Sequence, residues 1–378
     1  MANTFLTPSI IGKEALLILE NELVATSLFH RGHTQEFTGS KVGDTISIRG
    51  PAAFTAQEWS GSTTTQDATE TSTSLTLEKH FDVTFAVTAR DKTLELAEFN
   101  SQLLQPAVAA IAQGIDSYIH TKYVEIPYYV GTAGDPPDSL TDLALIDKAL
   151  NDQKVPLGNR FAIVNTQAKA DMFGISAVAQ AEQRGDGGDA LRNASMGRIM
   201  GLDFYMSQNV ADHAVGTLTN GSGMLAKINN ASVSVGDTSV AMDETSLSGT
   251  VKKGDIFTVA GDTQKYVATA DATASGNAIT VSFSPAAKVA WADDAVVTFT
   301  PDSDYAANIA GHPNGLTVAM VPLELPDGAA QAAYIGDRNL GLRIVMDYDM
   351  SSKTDTISID VLCGAKVQHP ELLTRVLG

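Results

Sequence analysis

Between residues 75 and 87 the chain alternates apolar and polar side chains more regularly than anywhere else, and this run limits what the chain can fold into. Leu75, Leu77, Phe81, Val83, Phe85 and Val87 take alternate positions, broken only by Lys79. Their intervening neighbours are Thr76, Glu78, His80, Asp82, Thr84 and Ala86, five of them polar. A period of two places the apolar groups on one face of an extended strand. A shorter alternating segment, 42–49, ends at Gly50-Pro51 and reads as a second strand with its stop. Between them, ten of the fifteen residues in 60–74 are Ser or Thr, a tract too polar to bury a core. Two long strands leading to a polar tip make an extended β-ribbon. Such a ribbon is marginal in water when isolated, so it is expected to lie on a neighbouring subunit.

The helical signals are of two kinds. Residues 13–29 are rich in Leu, Ala and Glu and read as one helix in an N-terminal arm. Leu16, Leu19 and Leu23 share one face while Leu17, Val24 and Leu28 lie on another. A helix apolar on two sides needs cover on two sides, and in a terminal arm a partner subunit would supply one of them. Residues 91–123 read as a long helical region with Pro106 at a first-turn position. There Leu104, Val108, Ile111, Ile115 and Ile119 recur at spacings of four, three, four and four, a core-facing stripe.

Residues 138–210 alternate helix (143–150, 166–173) and strand (161–164, 204–206), with a flexible loop at Gly185-Asp186-Gly187-Gly188-Asp189. Composition then shifts to Gly, Thr, Ser, Ala and Val over 216–300. Turn signals fall at Gly236-Asp237, Gly254-Asp255, Gly261-Asp262 and Gly276-Asn277, and short β-runs at 256–260, 265–269, 278–283 and 296–300. Short strands at near-regular spacing argue a small all-β barrel or sandwich. It reads as an insertion, because mixed α/β sequence resumes at 317–322. Two strands follow, 340–348 and 356–363, with a turn at 349–354 and a short tail whose last turn starts at Pro370.

The charge balance is 25 basic against 44 acidic residues, net −19. Tight nucleic-acid binding draws on Lys and Arg neutralising phosphates, so this surface suits a wall around a polyanion better than a grip on one. Simple solubility of an acidic protein explains the charge equally well. The one cysteine, Cys363, allows no intramolecular disulfide, and its strand-like neighbours make it a small buried hydrophobe. No signal peptide is evident at the start and no run approaches the ~20 apolar residues of a membrane span.

These parts, in this order, resemble the major capsid (coat) proteins of tailed bacteriophages, in particular the short-tailed-phage branch with an inserted β-barrel. The matching stretches are 42–49 (Val-Gly-Asp-Thr-Ile-Ser-Ile-Arg), 106–112 (Pro-Ala-Val-Ala-Ala-Ile-Ala), 201–210 (Gly-Leu-Asp-Phe-Tyr-Met-Ser-Gln-Asn-Val), 253–261 (Lys-Gly-Asp-Ile-Phe-Thr-Val-Ala-Gly) and 364–372 (Gly-Ala-Lys-Val-Gln-His-Pro-Glu-Leu). Each is weak alone; their order and spacing carry the resemblance. Residues 308–316 depart from it, lacking the basic, arginine-containing re-entry of the family.

The resemblance implies an α+β tailed-phage capsid fold. Its parts would be an N-arm (1–34), an extended β-ribbon loop (35–90, polar tip near 60–74), and a spine helix with peripheral domain (91–130). A split axial domain (131–215 and 304–350) would be interrupted by the β-barrel (216–303), and a C-terminal peripheral strand and tail (351–378) would close the chain. It implies a non-enzymatic subunit that self-assembles as pentamers and hexamers into an icosahedral shell in the virion, assembled in the host cytoplasm. Implied partners are further copies of itself, a scaffolding protein, a portal protein and, left open, decoration proteins. The shell would enclose double-stranded DNA without sequence-specific binding and without a membrane. Candidate subunit-interface residues are Leu16, Leu19, Leu23, Trp59, Asp237, Asp243, Glu244, Lys252 and Lys253. Of the last five, Asp237, Asp243 and Glu244 fall on a barrel loop and Lys252 and Lys253 follow shortly after. They read as an ordinary solvated surface, with ion pairs from this loop across a capsomer boundary as the sharper alternative.

No catalytic, cofactor or metal site is expected. His30 and His33 sit three apart with only Glu36 nearby, short of a ligand set, and no HExxH is present. Asp302/Asp304 and Asp347/Asp349 flank strands and turns, where Asp is common. The Gly185–189 run lacks the lysine of a phosphate loop. The competing readings are a tail-tube or surface-layer subunit and, more distantly, an enzyme or sugar-binding module built on the barrel. A surface-layer protein needs an export signal, and a tail-tube protein has no use for a long spine helix.

Overall fold

The structure is a computed structural model. It describes residues 13, 15–16, 18–19, 23–32, 44–50, 54, 56–59, 61, 65, 72–88, 103–180, 193–229, 233–326, 331–337 and 340–378. The chain divides into two compact units. The first comprises Met1–Glu22, Arg31–Ile115 and Thr317–Gln368, the second Leu23–His30, Asp116–Leu316 and His369–Gly378.

In the first unit the alternating run of 75–87 forms two strands, not one. Ser72–Thr76 pairs antiparallel with Thr45–Arg49, setting Ile46 opposite Leu75. After Leu77 and Glu78 the chain changes sheets, and Lys79–Thr88 pairs antiparallel with the 14-residue strand Thr354–Val367. The switch falls where Lys79 interrupts the apolar series. Thr354–Val367 also pairs with Leu340–Asp349, which pairs with Gln331–Asp337. The ribbon's root is covered by its own chain, since Ile46, Ile48, Leu75 and Leu77 bury against Ala319 with Val321 and Leu362 packed alongside. Its approach is close: a Cβ on Gly364 would stand 2.2 Å from the Thr76 carbonyl oxygen. The expectation that the whole ribbon needs a neighbour therefore does not hold for its root or for Lys79–Thr88.

The spine helix is Gln105–His120, continued by a 3-10 turn at Thr121–Glu125; the expected earlier part, 91–102, lies outside the described residues. Pro106 is the second residue of this α-helical span, which follows a π-helical pair at Leu103 and Leu104. Leu104, Val108, Ile111, Ile115 and Ile119 are all buried, as the spacing requires. The boundary between the units falls within this helix.

The second unit holds a seven-stranded sheet. Its order is Tyr129–Val130, Leu373–Leu377, Tyr305–Gly311, Phe161–Val164, Leu202–Met206 and Arg198–Ile199, with Asp212–His213 also paired to Tyr305–Gly311. The helix Leu140–Asp152 starts on a capping box, in which Asp142 N–H donates to Ser139 Oγ at 3.2 Å and Ser139 N–H returns to Asp142 Oδ2 at 3.1 Å. Its Leu143, Ile146 and Leu150 bury against Ala162, Val164, Phe204, Ala310 and Val376. Two strands here escape the sequence reading. Tyr305–Gly311 and Leu373–Leu377 are buried at every position, and strands covered on both faces carry no alternation. The tail expected as a last turn is a 3-10 turn at Pro370–Leu372 followed by this central strand.

Residues 225–299 of this unit contain a closed six-stranded barrel. Its order is Ser239–Asp243, Ala278–Ser284, Lys265–Ala268, Ile256–Val259, Val296–Phe299 and Leu225–Ile228, returning to the first. Four of the strands match the sequence reading within a residue or two. The four turn glycines, Gly236, Gly254, Gly261 and Gly276, take φ between +61° and +102°, a region costly for any residue with a Cβ. Phe257, Tyr266, Phe283, Phe299 and Trp291 fill the interior, with ring centroids 4.9–5.7 Å apart. The Asp262 carboxylate accepts from Tyr266 Oη at 2.6 Å and Trp291 Nε1 at 3.1 Å, which satisfies the polar ends of both rings.

Candidate assembly surfaces and the root of the barrel

The arm does not run as one helix. Helical residues occur at 13, 15–16 and 18–19, Leu23 and Val24 are not helical, and Ala25–Leu28 forms a separate short helix. The break is held by Asp116, whose carboxylate accepts from the N–H groups of Val24 at 3.3 Å and Ala25 at 3.1 Å. Burial raises the Asp116 carboxyl above its ordinary range, and the backbone N–H groups of Ala25, Thr26 and Val24 pull it back. One turn on, His120 is buried with neither ring nitrogen hydrogen-bonded among the described residues, and burial lowers it to about 4. Leu16, Leu19 and Leu23 are all buried within the chain.

Trp59 is the opposite case. It is 75% exposed, and Phe54 on the same inter-strand segment is 65% exposed. Most of the Ser/Thr-rich tract beyond them, 60–71, lies outside the described residues.

Two of the barrel charges have partners within the chain. Glu244 binds Lys227 at 3.1 Å, and Lys252 binds Asp271 at 3.4 Å. The Lys227 bond lowers the Glu244 carboxyl and raises the Lys227 ammonium. The Lys253 N–H, ahead of the neighbouring lysines, lowers Asp271. Asp243 and Glu244 line a surface depression of about 400 Å³ with Lys227, Asn277 and Asp294. Asp237 holds its own turn, accepting from Ser234 N–H at 2.7 Å.

The residues set aside as metal ligands have local duties. The Asp349 carboxylate accepts from the hydroxyls of Ser351 and Ser352, which lower it to about 2, and Asp304 accepts from Val215 N–H at 2.9 Å. His33 and Glu36 lie outside the described residues. Among the described residues no group of three or more His, Cys, Asp or Glu side chains is placed to hold a metal, and no described helix is long and apolar enough to cross a membrane. Cys363 is buried.

A cluster absent from the sequence reading lies at the root of the barrel. His213 Nε2 lies 2.8 Å from Asp255 Oδ1, and its Nδ1 lies 2.8 Å from Tyr123 Oη. A neutral imidazole carrying its proton on Nε2 satisfies both, donating to Asp255 and accepting from the Tyr123 hydroxyl. Asp255 also accepts from Lys252 N–H at 2.7 Å and Gly216 N–H at 3.1 Å. Arg375, wholly buried, donates through Nη1 to the Gly254 carbonyl and to Tyr305 Oη, both at 2.7 Å, and lies over the Tyr123 ring. Burial raises Tyr305, and it raises Tyr123 to about 12. These side chains come from parts of the sequence too distant for any spacing rule. The one signal was a lone arginine inside the apolar tail 372–377.

No family model and no curated protein matches the chain. Among solved structures, a chain from Mycobacterium phage Che8 has the same fold, with a TM-score of 0.53 at 14% identity over 94% of this chain and 90% of that one. The capsid structure of cyanophage P-SCSP1u gives 0.45 at 10% identity, over 89% and 83% of the two chains. The mature capsid of bacteriophage PhiM1 gives 0.45 at 10%, over 89% and 82%. The fold is α+β, shared with the Che8 chain, and it contains a closed six-stranded barrel.

Proposed function

We propose that the chain is a major capsid protein, a non-enzymatic subunit that assembles in many copies into the icosahedral shell of a tailed phage. The observation that carries this is the fold shared with the Mycobacterium phage Che8 chain along nearly the whole length of both. The exposed Trp59 and Phe54, two large apolar side chains on the segment between the ribbon's strands, favour it too. The barrel and the order of sequence motifs support the finer reading, a short-tailed-phage coat protein with an inserted barrel, built around a scaffolding protein and joined by a portal. In that reading the virion is its site of action, the host cytoplasm is where it assembles, and the ion pairs on the barrel face lie at capsomer boundaries.

Sedimentation of the chain expressed with and without a scaffolding partner tests the proposal. Fast-sedimenting particles containing this chain are expected. A chain that stays monomeric with scaffold present would reject it.

A further inference from the structure

The buried cluster at the root of the barrel is drawn from five separate stretches of the second unit. Tyr123 follows the spine helix, and His213 lies on a strand just before the barrel. Gly254 and Asp255 form a turn of the barrel, Tyr305 opens the strand that follows it, and Arg375 sits in the last strand. We propose that this cluster is a latch, with Arg375 as its pin, that makes the barrel and the seven-stranded sheet one cooperative body. The inference concerns the subunit itself and does not depend on the shell.

An inserted module joined through only an entering and a leaving segment is free to swing unless something else holds it. Here the guanidinium of Arg375 holds it from within, while Lys265 at the rim donates to the Tyr129 carbonyl at 3.2 Å. Burying a guanidinium is costly unless its donors are matched, and this one has two acceptors, one of them the barrel's Gly254 carbonyl. Its Nε and Nη2 have no hydrogen-bond partner among the described residues. Undocking the barrel would leave the buried guanidinium with the Tyr305 hydroxyl as its one hydrogen-bond acceptor among the described residues, beside the Tyr123 ring, so the last strand is stable in place only while the barrel is docked. Asp255 works from the other side, its oxygens taken by Gly216, Lys252 and His213.

The backbone at the joint leaves no slack. A Cβ at Gly254, where φ is +102°, would meet Val124 Cγ1 at 2.9 Å and His213 Cε1 at 3.0 Å. A Cβ at Gly216 would lie 2.2 Å from the Thr250 carbonyl oxygen and 2.6 Å from Asp255 Oδ2. A latch of this kind transmits movement: a shift of the last strand or of the segment around Tyr123 carries the barrel with it.

The chain's two tryptophans allow a direct test. In a Trp59→Phe background, Trp291 fluorescence reports the barrel core alone. Amide exchange in Leu373–Leu377 and Phe161–Val164 reports the sheet. Along a urea series the full-length parent should lose both signals at one midpoint. In Arg375→Met the midpoints should separate, with exchange in Leu373–Leu377 at least about tenfold faster, a change of about 1.4 kcal/mol, while the Trp291 transition stays in place. Should that variant not fold, Gly254→Ala, which strains the joint but keeps the arginine, decides alone and should also split the transitions. Separate midpoints in the parent, or coincident midpoints in the folded variants, would overturn the latch.

Discussion

Trp59→Ala separates what the subunit needs to fold from what the proposed shell needs to assemble. At 75% exposure the indole touches little of its own chain. A surface replacement away from caps, cores and special backbone changes stability by no more than about 0.5 kcal/mol, so the unassembled chain should melt at an unchanged urea concentration. In a subunit interface the same ring has much to lose. Tryptophan buries up to about 250 Å², so about 190 Å² is available to a neighbour. At about 25 cal/mol per Å² this gives a ceiling near 5 kcal/mol. Ordering the inter-strand segment takes back a large part, leaving about 2 kcal/mol per subunit, in the range of an interface hot spot. Repeated at every copy, that loss should raise the concentration needed for assembly at least about tenfold. The assay is a pair: urea unfolding of the unassembled chain, and the yield of sedimenting particles across a concentration series. If Trp59→Ala lowers unfolding stability by 2 kcal/mol, or leaves the assembly threshold where it was, the assignment of Trp59 to an interface is wrong.

Three further outcomes follow from the geometry. His120 is neutral in the fold, lowered to about 4 against about 6.5 when unfolded. The unfolded state therefore binds more protons between these values, and this contribution to stability, complete above about pH 6.5, is lost as pH falls toward 4. Its ceiling is about 3 kcal/mol; His120→Leu should flatten the pH dependence of the urea midpoint in that window, and an unchanged slope would remove His120 as its source. Gly364→Ala would drive a Cβ to 2.2 Å from the Thr76 carbonyl and should destabilise the ribbon root by about 2 kcal/mol or more, read as a lower urea midpoint; a neutral result would mean the root is not packed as described. Replacing Asp243 and Glu244 by Ala should cost the unassembled chain no more than the small worth of the surface Lys227 pair, while lowering the heat resistance of assembled particles beyond that, and unchanged heat resistance would confine their pairs to the surface of one subunit.

The sequence made visible whatever obeys a local period. The stripe from Leu104 to Ile119, the strand Phe161–Val164 and four barrel strands are each set by residues within one element. What escaped was decided between elements. The run 75–87 reads as one strand because its alternation survives the step past Lys79, yet the hydrogen bonds change partner there, from Thr45–Arg49 to Thr354–Val367. Tyr305–Gly311 and Leu373–Leu377 were invisible because burial on both faces erases the alternation that marks a strand. The arm broke at Leu23 because Asp116, 92 residues from Val24, supplies a carboxylate to two backbone N–H groups there. The expected interface residues divide likewise. Exposure leaves Trp59 available to a partner, whereas Leu16, Leu19 and Leu23 are satisfied within the chain. Glu244 and Lys252 have partners within the chain, in Lys227 and Asp271. The latch joining Tyr123, His213, Asp255 and Arg375 left one local trace, the lone arginine in the apolar tail 372–377.

As the proposed shell subunit, this one chain would occupy both fivefold and sixfold rings. Single-particle imaging of the particles it forms with a scaffolding protein tests that most directly. Closed icosahedral particles are expected, in which density for this fold, barrel included, fills the rings at the vertices and on the faces. Open tubes built from a single kind of ring, flat sheets, or only monomers would contradict it.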